Sequence, residues 1–296
     1  GNMLANPVTF NDKVWQDSQI TDLGFFTEAK YNLSPKSVLT AGIRYDNVTS
    51  DIKDPEADFA AMYNLEKRTE HTFSGTVSIK KMISENYTLE AAYGRGTRTA
   101  NMIERFINHF TIGQDPYEYI GNPDLKAEVN NQFEIGFKGA NNNRKVKYSA
   151  SVYYSSFQNY IVGIVDNNLT RKYMPMANPK NPKVFQNLDN AYKTGFEAMT
   201  QIDFLEDYYL KAEMAYVYAR NEDLDESLPL NPPFNSTLTL GFKKEKYWAN
   251  IQYNLTSEQN NIAESFGETK TNGYQTLDIK FGTSVFKNFT LGVAVL

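Results

Sequence analysis

Hydrophobic and polar residues alternate at every second position through most of the chain, as in β-strands whose two faces meet different environments. In segment 208–218 one face carries Tyr208, Leu210, Ala212, Met214, Tyr216 and Tyr218, and the other carries Lys211, Glu213, Ala215 and Val217. Four other segments show the same alternation clearly: 73–83, 133–138, 247–255 and 289–295. The pattern predicts twelve strands.

The links between these strands alternate between short and long. Six tight links each join two strands: Ser34-Pro35-Lys36, Ser84-Glu85-Asn86, Gly139 to Arg144, Leu205 to Asp207, Lys244-Glu245-Lys246 and Lys287-Asn288. The five links between the pairs are long and irregular: 47–69, 98–127, 159–190, 221–234 and 258–272. Tight turns at one end and long loops at the other are the layout of an outer-membrane barrel. We therefore predict an all-β fold, an antiparallel up-and-down transmembrane β-barrel segment.

Alternation alone does not distinguish a lipid-facing strand from one in a soluble sandwich. Three observations favour the barrel. The polar face is rich in Gly, Ser and Thr with scattered opposite charges, and a Greek-key sandwich would break the strict order of short and long links. Tyrosines also recur near the strand ends, where aromatic girdles lie: Tyr31, Tyr45, Tyr93, Tyr154 and Tyr253.

Composition excludes several classes of protein. The 296 residues include 20 Tyr and 19 Phe but only 2 Trp, and the mean hydropathy is −0.53 with no apolar run near the length of a transmembrane helix. The absence of cysteine excludes disulfides, thiolate metal sites and a cysteine nucleophile. A net charge of −5 without a basic cluster argues against nucleic-acid binding. No serine is suitably spaced from His71 or His109 for catalysis, so no enzyme activity or cofactor is predicted.

Two motifs in the middle of the chain carry a family resemblance. Gly94-Arg95-Gly96-Thr97-Arg98-Thr99-Ala100-Asn101-Met102-Ile103-Glu104-Arg105-Phe106 is followed after about fifteen residues by Gly121-Asn122-Pro123-Asp124-Leu125-Lys126-Ala127-Glu128. The pair resembles the central barrel signature of TonB-dependent receptors, with Ala100 and Ala127 where that family usually has proline. Supporting matches follow the family order at 24–28, 41–46, 194–197, 228–233 and 291–293. The resemblance covers essentially the whole chain.

The resemblance implies an N-terminal plug domain followed in sequence by a barrel of about 22 strands. By the parity of its turns, the chain corresponds to strands 10 to 21 of about 22. No signal peptide opens the sequence, and residues 290–296 end in mid-strand. We therefore expect one domain over 1–296, a barrel segment incomplete at both ends, without plug domain or closing strand. Such a sheet has two open edges and should not be stable alone in water.

The function implied by the resemblance is TonB-dependent active transport of a metal chelate across the cell outer membrane, with an iron–siderophore or haem-type complex as cargo. Copper or another cargo remains open, as do a passive porin-like channel and a soluble β-rich interaction module. The implied partners are a TonB-type energy-transducing protein, which would act through the plug region, the small ligand and outer-membrane lipid.

Candidate ligand-binding residues lie in the long loops, where recognition groups stand on a rigid scaffold. They are His109, Gln114, Tyr117, Tyr119, Arg171, Tyr173, Met174 and Met176. Stacking, charge and hydrogen bonds from such residues suit a ferric chelate. The Met-Pro-Met run at 174–176 with His109 suits copper, although an ordinary hydrophobic contact explains it as well.

The remaining candidates belong to the family signature, and the resemblance assigns them a structural role in bracing the loop and the contact between barrel and plug. These signature residues are Arg98, Glu104, Gly121, Asn122, Pro123, Leu125 and Glu128. The acidic stretch 222–226 fits either a Ca²⁺ site or a solvated loop.

Overall fold

The computed structural model describes residues 13–111, 116–172, 180–286 and 289–295. Within them the chain forms sixteen strands, two short α-helices and one turn of 3-10 helix, Glu264–Phe266. The strands are β1 (Asp17–Ser34), β2 (Ser37–Asp54), β3 (Arg68–Ser84), β4 (Tyr87–Arg98), β5 (Tyr119–Ile120), β6 (Glu128–Ala140), β7 (Val146–Gln158), β8 (Tyr160–Val165), β9 (Lys183–Leu188), β10 (Ala191–Asp203), β11 (Tyr208–Asn221), β12 (Glu226–Ser227), β13 (Asn235–Lys244), β14 (Tyr247–Thr256), β15 (Tyr274–Phe286) and β16 (Phe289–Val295). The helices are α1 (Ala57–Met62) and α2 (Met102–Phe106).

Twelve strands form one antiparallel up-and-down sheet, in the order β1-β2-β3-β4-β6-β7-β10-β11-β13-β14-β15-β16. The predicted strand number and fold class are therefore confirmed. Two-residue turns join β1 to β2 and β3 to β4, as the tight links predicted, whereas the link at 287–288 lies outside the described residues. The first long loop is shorter than expected, because β2 continues to Asp54 and β3 begins at Arg68.

One face of the sheet is a continuous apolar surface. Cross-strand register places Leu210 beside Leu240, Leu240 beside Ile251, and Ile251 beside Ile279. All four are exposed, between 36 and 49%. An apolar face of this extent, with side chains at every second position, is what lipid contact requires of a barrel strand.

Aromatic rings flank this apolar face at both ends of the strands. Near the tight turns the ring pairs are Tyr87–Phe137 at 6.0 Å, Phe137–Tyr148 at 5.8 Å and Tyr208–Phe242 at 5.0 Å. Near the long loops they are Tyr45–Phe73 at 5.0 Å, Tyr93–Phe133 at 4.7 Å and Tyr154–Tyr192 at 6.0 Å. Two aromatic girdles bordering an apolar band are the arrangement of outer-membrane barrels.

The opposite face of the sheet is polar. Near the tight turns, Glu90 pairs with Lys80 at 3.3 Å and Lys138 at 2.9 Å. Near the loops, strand residues on this face are buried: Asp46, Val48, Ser50, Thr72, Ser155, Ala191, Ala219 and Asn221. Every one of them lies out of phase with the apolar positions of its own strand, so the loops fold over the polar face.

The hydrophobic core therefore sits in the loops and not between layers of sheet. Strands β5, β9 and β8 form a separate three-stranded sheet, in which β5 and β9 are parallel. Two clusters of buried side chains pack around it: Ala100, Ile107, Tyr119, Leu125, Ile161 and Phe185 in one, and Phe59, Ile120 and Val184 in the other. We call the described parts of loops 55–67, 99–127 and 159–190 the loop body.

None of the helices in the described ranges has the length and apolar character needed to cross a membrane.

Candidate functional site in the loop body

The chain leaves the end of β4 and passes into the loop body through helix α2. Asn101 caps this helix: its side-chain Oδ1 accepts a hydrogen bond from the Glu104 amide at 2.9 Å, and Glu104 Oε2 accepts one from the Asn101 amide at 2.8 Å. This reciprocal capping box satisfies two backbone N–H groups that the helix start would otherwise leave unpaired.

Arg98, the last residue of β4, lies between two carboxylates of the signature. Its Nη1 is 2.8 Å from Glu104 Oε2, and its Nη2 is 3.2 Å from Glu128 Oε2. Glu128 Oε2 also accepts a hydrogen bond from the Ile161 amide at 3.1 Å. The two glutamates are 12% and 13% exposed. One arginine therefore joins β4, α2 and β6, and Glu128 adds β8.

The segment around Gly121 docks directly on the backbone of α2. The Gly121 amide donates to the Ile107 carbonyl at 2.8 Å, and the Asn122 amide donates to the Glu104 carbonyl at 2.8 Å. The Asn122 side chain donates to the Phe185 carbonyl at 2.9 Å, which attaches this segment to β9. A side chain at position 121 would place its Cβ 2.5 Å from backbone atoms of Arg105 and Phe106. Only glycine permits so close an approach.

Arg105 is a buried cation that sequence reasoning missed. It is 1% exposed, and its guanidinium donates to the carbonyls of Pro123 at 2.8 Å and Ala100 at 3.2 Å and pairs with the carboxylate of Glu70. The sequence contained one indication of this burial: Arg105 stands among the apolar residues Ile103, Phe106 and Ile107 in a very short helix. Five donors in a planar fork suit arginine to this bridging of carbonyls and a carboxylate.

Glu118 is the centre of a second buried network. It is fully buried, and its carboxylate lies 2.9 Å from His109 Nδ1 and 3.1 Å from Arg171 Nε. The same carboxylate accepts a hydrogen bond from the Lys172 amide at 2.9 Å, and its backbone carbonyl accepts one from the Lys183 amide at 2.8 Å. Loops 99–127 and 159–190 are therefore joined by one carboxylate.

Lys183 lies in an aromatic cage. It is fully buried, with its Nζ 4.2 Å from the ring centroid of Tyr117, 5.3 Å from Tyr119 and 5.4 Å from Phe266. The ammonium also donates to the Tyr119 hydroxyl at 3.3 Å. Because Phe266 belongs to the 3-10 helix after β14, this cation–π cluster attaches a further loop to the loop body.

Helix α1 is held by Asp58, whose carboxylate accepts hydrogen bonds from Lys172 Nζ at 2.6 Å and Asn108 Nδ2 at 2.9 Å. Burial acts to raise the pKa of Asp58, but these hydrogen bonds outweigh it and the pKa lies below its usual value. Burial raises the pKa of Tyr63 to about 12 and that of Tyr160 to about 12, with nearby carboxylates acting in the same direction.

The sequence matches the family model described as TonB dependent receptor-like, beta-barrel, over residues 2–296. The chain belongs to this family. The resemblance carried by the two central motifs is thereby confirmed. The family and the similar solved structures are receptors and transporters and not enzymes. TonB-dependent receptor homologues are outer-membrane β-barrel proteins.

Solved structures of this family share the fold. The copper transporter OprC superposes with a TM-score of 0.78 at 20% identity, over 94% of this chain and 41% of that one. A mutant of the ferric enterobactin receptor PfeA from Pseudomonas aeruginosa gives 0.70 at 16%, over 94% and 39%. The siderophore receptor PiuA from Acinetobacter baumannii gives 0.65 at 14%, over 94% and 38%. The chain thus spans about two fifths of the length of these receptors. A comparison with curated proteins gave no match.

In this receptor barrel, four of the predicted ligand-binding residues come together in the loop body: His109, Tyr117, Tyr119 and Arg171. Tyr119 is 2% exposed and the side chains of His109 and Arg171 are each 11% exposed, while Tyr117 is half-buried. The other four, Gln114, Tyr173, Met174 and Met176, lie outside the described residues. Across the described ranges, no three His, Asp or Glu side chains are grouped so as to hold a metal ion.

Proposed function

We propose that this chain is the loop-bearing part of an outer-membrane receptor that takes up a metal chelate by TonB-dependent active transport. The cargo class is an iron–siderophore or haem-type complex. The observation that carries the proposal is the position of the loop body. It packs over the polar face of the sheet, where a passive pore would need an open mouth.

The arrangement of the loop body supports gated uptake. Two carboxylates link loops 99–127 and 159–190: Glu118 contacts Arg171 and the Lys172 amide, and Glu128, which pairs with Arg98, accepts from the Ile161 amide. Loops joined in this way move as a unit and not one at a time. A ligand that binds to their outer surface is then able to shift the whole unit, and the half-buried Tyr117 remains the proposed contact for it.

The remaining parts of the transport machinery are proposed to lie in the rest of the full-length receptor. By strand parity the twelve strands correspond to strands 10 to 21 of a barrel of about 22 strands. A plug domain inside that barrel would contact the polar face, and a segment preceding it would contact a TonB-type protein. Energy from the inner membrane would then release the bound cargo.

Uptake of radioactive iron chelates by cells that express the full-length receptor tests this function. We expect uptake that requires both TonB and the membrane potential, and recovery of the receptor in the outer-membrane fraction. A passive porin-like channel predicts uptake without TonB and swelling of liposomes that contain the purified receptor. Copper as cargo is tested in the same cells by TonB-dependent accumulation of copper ions.

A further inference from the structure

Charge is unevenly divided between the long loops and the rest of the chain. The five long loops, 55–67, 99–127, 159–190, 222–234 and 257–273, contain sixteen Asp and Glu against eight Lys and Arg. Their net charge is therefore −8, while the whole chain has −5, which leaves +3 for the rest of the chain.

The excess of negative charge persists at the surface of the loops. Three of the eight basic residues are withdrawn into the loop body, Arg105, Lys183 and Arg171, and two of the sixteen acidic residues are withdrawn with them, Glu104 and Glu118. Many acidic residues stay at the surface, among them Glu222, Asp223, Asp225, Glu258 and Glu264.

The two most acidic loops lie against each other. Loops 222–234 and 257–273 carry seven acidic residues and a single basic one. Glu226 Oε2 accepts a hydrogen bond from the Ser265 amide at 3.0 Å, and Glu268 Oε1 accepts one from the Leu230 amide at 2.7 Å. Their charges therefore form one surface, and Phe266 in the cage of Lys183 places that surface beside the loop body.

A surface of this charge acts on any ion that approaches it. Summed charges create potentials of several kT that alter association rates by roughly 10- to 1000-fold, within a screening length of about 8 Å at physiological salt. Within this screening length the acidic surface attracts a cation and repels a polyanionic chelate. On the proposed function as its basis, we infer that the cargo reaches these loops as a cationic or uncharged metal complex and not as a polyanion.

The test compares two ferric probes of similar size in cells that express the full-length receptor. One is a trihydroxamate complex with a free amine, of charge about +1, and the other is a tris-catecholate complex of charge about −3. We expect TonB-dependent uptake of the cation to be faster, and to slow as ionic strength rises. Faster uptake of the trianion would overturn the inference and leave the proposed function intact.

Glu222→Gln, Glu258→Gln and Glu264→Gln together remove three exposed negative charges from the loops. The matched control is Glu85→Gln, Glu206→Gln and Glu245→Gln, three exposed glutamates at the tight turns. The loop variant should lower the uptake rate of the cation about 2-fold and raise that of the trianion roughly 5- to 10-fold. The control variant should change neither, and equal effects of the two variants would refute a role for loop charge.

A measurement that needs no cargo separates the inference about loop charge from the proposed function. If none of the iron chelates tested, haem included, shows TonB-dependent uptake, the proposed function fails. A fluorophore attached at Thr269→Cys then decides on the charge. Relative to its quenching of the free fluorophore, caesium should quench it several times more efficiently than iodide, and the loop variant should reduce this ratio. Equal relative quenching by the two ions would overturn the inference.

Discussion

Replacing Gly121 with alanine should loosen the loop body without disturbing the sheet. The new Cβ would lie 2.5 Å from the Arg105 carbonyl carbon and from the Phe106 nitrogen, and 2.6 Å from the Arg105 carbonyl oxygen. These are backbone atoms of helix α2, which are unable to rotate away as a flexible side chain would. Relief of the contact requires the segment around Gly121 to move from α2 by about 1 Å.

The cost of that movement follows from what the close approach holds in place. Overpacking against fixed atoms costs about 1–3 kcal/mol. The shift also weakens two hydrogen bonds of 2.8 Å, from the Gly121 amide to Ile107 and from the Asn122 amide to Glu104, each of which contributes about 0.5–1.5 kcal/mol. A loss of about 3 kcal/mol in local stability corresponds to roughly 100-fold faster opening of this segment.

Hydrogen–deuterium exchange of the full-length receptor in detergent measures this opening. The amides of Gly121 and Asn122 should exchange roughly 100-fold faster in the variant, while those of β6 and β7 keep the wild-type rate. Gly96→Ala is the matched control, since a Cβ at that position meets no atom within 4 Å. Exchange in Gly121→Ala within about threefold of wild type, or an equal change in Gly96→Ala, would refute the steric argument.

Three further predictions concern the charged and phenolic groups of the loops. Arg105→Met should cost about 3–5 kcal/mol of loop stability and increase proteolysis of the loops, because it leaves the Glu70 carboxylate without its partner. Adding Glu70→Gln should recover part of that loss, and an equally sensitive double variant would contradict this account. The pKa of Asp58 is lowered in the folded chain, so its contribution is complete at neutral pH and is lost as the pH falls through that value. Asp58→Asn should remove this acid dependence of amide exchange in α1. The pKa of Tyr63 is raised to about 12 from 10.0, so its neutral form favours the folded loop below pH 10 and this contribution is lost as the pH rises towards 12. Tyr63→Phe should abolish this alkaline loosening in the same assay.

The sheet was predictable from the sequence because its determinants are local. Each hairpin combines a period of two in hydrophobicity with a turn at a definite position, as in Ser34 to Ser37 and Ser84 to Tyr87. Each of the twelve strands pairs with the next of the twelve along the chain, so their order in the sheet is their order in the sequence. The order of short and long links then fixes which end carries the loops.

The loop body was not predictable in this way. Its parallel pair joins Tyr119 to Lys183 and Ile120 to Val184, residues more than sixty positions apart, and no local periodicity indicates such a pairing. Burial in the loop body also differs from what the residue types predict. Arg105, Glu118 and Lys183 belong to residue types that are mostly exposed, yet all three lie in the core.

The family motifs gave the positions of the signature residues but not their partners. The sequence marks Arg98, Glu104 and Glu128 as a recurring set, and the structure shows that one guanidinium contacts both carboxylates. Arg105 lies within the same motif and makes equally specific contacts, although the motif alone does not distinguish it from a surface arginine.

Burial of charge in the loop body is consistent with the gated uptake proposed above. Buried ion pairs add little net stability compared with apolar packing, but they are costly to rearrange and so favour one arrangement of the loops. The apolar clusters beside them contain only six and three buried residues, whereas strand pairing continues across the whole sheet. We therefore expect the loops to open more easily than the twelve paired strands, as the proposed uptake would require.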